Sequence, residues 1–248
     1  MTRIAAVGDI HVGLDSVGHV AHGLEHVNER ADVLLLAGDL TRCGTAAEAA
    51  LVVDELAAVT IPVVAVLGNH DFHSDEAGEV VRLLEGGGVT VLDGTSTTVE
   101  VGGSVVGIAG TKGFGGGFAG ACASYFGERA MKAFIAETRA EAARLHDALV
   151  GVSAQADRVV ALLHYSPVEA TLRGERLEIY PFLGSHLLAE AIDTAGADLV
   201  VHGHAHKGSE RGVTPGGVRV RNVAQQVIGH AYRVFDLRDP AAEDRSVA

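Results

Sequence analysis

Cysteine and proline are scarce: the 248 residues hold two Cys and five Pro. Cysteines as far apart as Cys43 and Cys122 make no disulfide framework. Basic residues are few as well, 19 Lys and Arg against 32 Asp and Glu, for a net charge of −13. Wide contact with a nucleic-acid backbone needs the opposite balance, which weighs against an extended nucleic-acid partner. A small anionic substrate stays open, because bound metal ions can reverse the local sign. No apolar run nears the roughly 20 residues of a membrane helix. The start, Met1-Thr2-Arg3, leads straight into "IAAVGDIH" without a basic and apolar leader, so a cytoplasmic protein is expected. Glycine, by contrast, is plentiful at 32, and apolar residues reach 48%. That suits one α/β domain with many short turns, expected over residues 1–239 with a frayed tail at 240–248.

The chain reads as apolar strand, loop and amphipathic helix, repeated. Strands are expected at Arg3–Val7, Val33–Ala37 and Ile61–Leu67, the second a continuous apolar run of the kind buried on both faces. Helices are expected at Val17–Arg30, from a capping box of Thr45 and Glu48 to about Ala58, and near Asp75–Glu85 before three glycines. Val89–Leu92, Thr97–Val101 and Val105–Ala109 read as a sheet of hairpins. A glycine-rich loop, Thr111–Gly120, is mobile by composition. Glu128–Val150 forms the longest helix, with Met131, Phe134, Ile135, Leu145 and Leu149 on its apolar face. Val159–Leu163 and Leu199–Val201 are strands, Thr171–Leu183 is irregular, and Ser185–Ala195 is a helix. Val218–Val223 and Arg233–Leu237 close the chain. The architecture expected is a two-sheet β-sandwich flanked by α-helices.

Chemistry gathers just beyond the strands. After the first comes Gly8-Asp9-Ile10-His11, after the second Gly38-Asp39, after the third Gly68-Asn69-His70-Asp71. His164 follows "VVALL", and "LVVHGHAH" carries His202, His204 and His206. In open α/β folds, sites form beyond the carboxyl ends of the strands. The donors are nitrogen and oxygen with no thiolate, which favours Mn, Fe, Zn or Ni. They are too many for one tetrahedral ion and enough for two ions sharing a carboxylate. Period-two spacing would put Asp9 and His11 on one face.

The ordered set "GDIH", "GDLTRCG", "GNHD", a lone His after a strand, and "GHAH" resembles the calcineurin-like metallophosphoesterase family over about Arg3 to His206. The resemblance implies two divalent ions. Asp9, His11 and His206 would hold the first, and Asn69, His164 and His204 the second, with Asp39 between them. His70 would face the substrate phosphate as the catalytic side chain. It implies hydrolysis of a small soluble phosphodiester or phosphomonoester by a hydroxide bridging the ions. The "GDLTRCG" segment departs from the "GDxxDRG" of serine/threonine phosphatases, against that subtype.

Other residues carry weaker expectations. Arg42 could reach the phosphate, and Asp71 could orient an imidazole. Phe114 and Tyr165 could line the substrate pocket. His202 is expected in a structural or supporting role, and His73 is expected to be inert. His19, His22 and His26 share a helix face that reads as solvated, and Cys43 as packing. Each ligand alone would pass for a turn or capping residue; only the ordered set makes a site. A family nuclease and a non-catalytic scaffold are the competing functions.

Overall fold

The computed structural model describes residues 2–237; the tail expected to fray lies outside them. One sheet is built from β1 (Arg3–Val7), β2 (Val33–Ala37), β3 (Val63–Val66) and β4 (Val89–Val91), all parallel in that order. The second takes β5 (Thr95–Val101) and β6 (Ser104–Thr111), an antiparallel hairpin whose second strand runs parallel to a strand far along the chain. Between them comes a two-residue pair, β7 (Gly117–Phe118) and β8 (Ala121–Cys122). Then follow β9 (Arg158–Leu163), β10 (Leu199–His202), β11 (Arg211–Val213) and β12 (Arg219–Asn222), giving the order β11-β12-β10-β9-β6-β5. The last strand, β13 (Arg233–Asp236), returns to pair antiparallel with β1.

Four helices flank the first sheet: α1 (His19–Gly23), α2 (Val27–Arg30), α3 (Ala46–Glu55) and α4 (Ala77–Gly86). The long α5 (Arg129–Ser153), with short α6 (Tyr180–Leu183), α7 (His186–Ala195) and α8 (Gln225–Ile228), completes the set. Strand periodicity explains the layering. Val160 and Leu162 of β9 join the core shared with the first sheet, while Val159, Ala161 and Leu163 join the core under α5 and α7. The result is helices, sheet, sheet and helices, as expected. No helix among the described residues is long and apolar enough to cross a membrane.

The capping box forms as read, with Thr45 Oγ1 accepting from the Glu48 amide and Glu48 accepting from the Thr45 amide. Some expectations fail. The helix expected at Val17–Arg30 is two short ones, since Leu24 closes the first turn and Gly23 packs where a Cβ would lie 2.7 Å from the Ala231 Cβ. The segment Val89–Val91 is not part of a hairpin sheet; α4 carries it back parallel to β3. On α5 the inward face takes Ile135, Leu145 and Leu149, while Met131 stays exposed. The glycine-rich loop is held: the amides of Gly113, Gly116 and Gly117 bond to Glu141, to the Pro181 carbonyl and to the Gly184 carbonyl.

Candidate metal centre

Five strands end at one edge and deliver the donors together. Past β1 stand Asp9 and His11, past β2 Asp39, past β3 Asn69 and His70, past β9 His164, and past β10 His204 and His206. Their backbones leave the strand conformation at once. Asp9, His11, Asp39 and His204 have φ of 59°, 42°, 51° and 70°, left-handed values that cost a non-glycine residue about 1–3 kcal/mol each. Among the described residues only one other non-glycine residue, Asp75, has a positive φ. Strain of this kind persists where the surroundings fix it, and here it turns each donor inward. The same-face argument for Asp9 and His11 therefore fails; they converge through turns. Glycines make the room: a Cβ on Gly68 would lie 2.1 Å from Asp39 Oδ1, and one on Gly203 2.3 Å from Asp9 Oδ2.

Two donor clusters result. Asp9, His11, Asp39 and His206 form one, Asp39, His164 and His204 the other, with the ligand atoms of each within 4.8 Å of one another. Asp39 belongs to both. Its Oδ1 lies 3.4 Å from His164 Nε2 and its Oδ2 3.8 Å from His11 Nε2. The Asn69 Oδ1 adds a donor 3.0 Å from His164 Nε2.

The electrostatics fit cations. Burial pushes His164 well below the ordinary imidazole value, so the ring is neutral. Its Nδ1 is 2.9 Å from the Ala37 carbonyl and must donate, which leaves a lone pair on Nε2. That lone pair, Asp39 Oδ1 and Asn69 Oδ1 then face one another as three acceptors. Such a set repels itself unless a positive charge sits among it. His11 Nε2 is likewise buried with no hydrogen-bond partner among the described residues. Burial holds His11 at about 4 and His204 at about 3. Asp9 is raised to about 6 by burial, against the pull of His206, whose Nε2 lies 2.8 Å from Asp9 Oδ1. An all-nitrogen and oxygen set around a shared carboxylate is the chemistry of divalent ions.

The remaining expectations divide. His70 stays at the rim, half exposed, its Nδ1 2.8 Å from the Arg42 carbonyl and its ring 4.5 Å from that of His11. His202 is buried away from both clusters, with Nδ1 2.8 Å from the Gly203 carbonyl and Nε2 2.9 Å from Thr171 Oγ1. Tyr165 packs its ring 4.3 Å from that of His204, and Phe114 leans on Tyr165 at 5.9 Å. His19, His22, His26 and His73 are exposed. The Arg42 guanidinium pairs with Asp15 at 2.6 Å over Gly13, where a Cβ would collide with it. Asp71 meets no imidazole. Its oxygens take the amides of Leu40, Thr41 and Gly68 and the Thr41 hydroxyl, tying the turn after β2 to the turn after β3. Sequence reasoning missed Glu141 of α5, which accepts from Thr111 Oγ1 and the Gly113 amide. No motif marks it, because its partners lie about 30 residues upstream.

The profile of the calcineurin-like phosphoesterase family matches residues 2–208. The chain belongs to that family. Members of this metallophosphoesterase family bind two divalent ions, and the two clusters are candidate positions for them. Similar solved structures include phosphopantetheinyl hydrolase (PptH) from Mycobacterium tuberculosis, 17% identical with a TM-score of 0.66 over 100% of this chain and 98% of that one. TT1561 of Thermus thermophilus is 19% identical, with a TM-score of 0.57 over 96% and 95%. GAP50, the anchor in the inner membrane complex of Plasmodium, is 13% identical, with a TM-score of 0.57 over 91% and 72%. At these identities the likeness is one of fold. No curated relative matches the sequence.

Proposed function

We propose that the chain hydrolyses a small phosphoester, a diester or a monoester, at a pair of divalent ions. The observation that carries this reading is the sharing of Asp39 between two donor clusters. Asp9, His11, Asp39 and His206 would hold one ion, and Asp39, Asn69, His164 and His204 the other. When bound, the ions would supply Lewis acidity toward the phosphoryl oxygens and a more acidic water. The chain's part is to fix the ligands before substrate arrives. Ala37 holds the His164 ring through Nδ1, the Phe182 carbonyl holds His204 through Nε2, and Asp71 locks the turns that carry Asp39 and Asn69.

His70 is the proposed proton donor. With Nδ1 donating to the Arg42 carbonyl, its Nε2 is left to carry a proton to the leaving oxygen. Its place outside both donor clusters supports this. Both sheets contribute ligands, so the proposed activity belongs to one domain. The net charge of −13 supports a small substrate over an extended nucleic acid.

Purified protein supplied with Mn should cleave a nitrophenyl phosphodiester. Asp39→Ala should lower kcat/KM at least about a hundredfold, and His70→Ala by about 10²–10⁴ while keeping bound metal. Full activity of the Asp39 variant would remove the two-metal reading. Metal content by elemental analysis separates a lost ligand from a lost proton donor.

A further inference from the structure

Beside the metal centre lies a second feature that the proposed chemistry does not use. A pocket of about 220 Å³ opens between α4 and the strand ends, with walls of Leu67, Phe72, Val81, Val91 and Leu92. Its lining is mostly apolar, with Lys112 and Asp93 as its charged members. A cavity of about 150 Å³ is enough to hold benzene, so this one has room for a ring or a short branched chain. Small aromatic or aliphatic groups enter such pockets because their burial removes apolar surface from water.

Two residues join the pocket to the metal centre. Phe72 ends the short turn that begins at His70. The Lys112 carbonyl accepts from the amides of both His164 and Tyr165. The Lys112 side chain is partly buried and stands over three rings, 5.6 Å from the centroid of Phe72, 4.8 Å from Phe114 and 5.3 Å from Tyr165. Its ammonium donates to the Gly113 carbonyl at 3.0 Å, and no carboxylate pairs with it among the described residues. A lysine nitrogen has three donors, so two remain to be met. The segment is braced rather than loose: buried Glu141 grips Thr111 and Gly113 on either side of Lys112, and Arg144 in turn pairs with Glu141. A rigidly placed cation with spare donors, aromatic walls and an apolar pocket next to a phosphoester site is a recognition device.

We infer that this pocket takes the apolar, ring-sized arm of the substrate's alcohol, with Lys112 donating to a non-bridging phosphoryl oxygen beside that arm. The inference rests on the phosphoesterase reading and names the substrate class within it: esters of an aromatic or compact branched alcohol. Methyl and other armless esters lose the pocket. Lys112 is then a binding residue, and Glu141 a positioning residue acting through it.

Gly78 offers a clean test. It lines the pocket in the first turn of α4, and a Cβ built there meets nothing within 4 Å. Leucine at that place has open space to extend over the pocket it lines, and it favours the helix over glycine. Binding of benzylphosphonate and methylphosphonate to the Mn-loaded protein is measured by titration calorimetry, alongside kcat/KM for phenyl and methyl phosphoesters. The wild-type protein should bind the benzyl compound at least about tenfold more tightly than the methyl one. Gly78→Leu should erase most of that preference. Lys112→Met should weaken both phosphonates about tenfold while its thermal midpoint stays within a few degrees. Equal binding of the two phosphonates by the wild-type protein, or an unchanged preference in Gly78→Leu, would overturn the inference while leaving the two-metal reading intact. Failure of either phosphonate to bind, together with no ester cleaved, would bring down the phosphoesterase reading and this inference with it.

Discussion

Asp9 lies out of water, and burial raises its carboxyl to about 6. In the metal-free protein the folded chain therefore holds a proton that the unfolded chain releases near pH 4. Stability from this group is present below about pH 4 and is lost as pH rises through about 6. Metal binding has the opposite sign, because the ion needs the carboxylate. His206, raised by its bond to Asp9, must also give up its proton. His11 and His204, held low by burial, have none to lose at neutral pH. Calorimetry should accordingly show Mn binding about tenfold weaker or more at pH 5 than at pH 7. An affinity flat across that range would take Asp9 out of the ligand set. The donors themselves were legible in the sequence, since each stands in a short motif directly after an apolar run. The partners of Arg42 and Asp71, namely Asp15 and the backbone after β2, were not legible there, because they are chosen by the fold and not by neighbours in sequence.

Secondary-structure elements act here mainly as carriers of turns. The turn after β2 and the turn after β3 bear Asp39 and Asn69, and Asp71 stitches them with four hydrogen bonds from Leu40, Thr41 and Gly68. Replacing it by alanine strips those acceptors from buried donors. Asp71→Ala should cost about 3–5 kcal/mol in urea unfolding and weaken metal binding, although Asp71 touches no metal cluster. A loss under about 1 kcal/mol would mean the turns hold without it. The strands that stand alone as apolar runs could be placed from sequence within a residue or two. The fourth strand could not be assigned to its sheet, because Val89–Val91 looks the same whether it forms a hairpin or ends a crossover. Glycine content also misled: a loop rich in glycine reads as mobile, yet Glu141 and the Pro181 and Gly184 carbonyls hold this one.

On the scale of the whole molecule, the donors tie the two sheets together. β1, β2 and β3 of one sheet and β9 and β10 of the other meet at the centre, with Asp39 facing His164 across the layers. Ions bound there would cross-link the sandwich as well as serve catalysis. A ligand present at a hundred times its Kd stabilises the native state by about 2.7 kcal/mol. Chelation should thus lower the thermal midpoint by about 5–10 °C, and adding Mn back should restore it. An unchanged midpoint after verified metal removal would show that the ions contribute nothing to folding.

The sequence by itself determined the α/β alternation, the two-sheet architecture, the family and the set of candidate donors. Those features are local: apolar runs, capping residues and strand-end motifs each fit within a few neighbours. Tertiary structure supplied the geometry by which the candidate donors gather into two clusters around Asp39, and it set the partners of His202, two residues from His204. It also decided that Lys112 stands braced between an apolar pocket and the metal centre. Left-handed backbone at four of the candidate donors and hydrogen bonds spanning 30 residues or more set these outcomes. Such contacts depend on which strands lie side by side, and no short stretch of sequence records that.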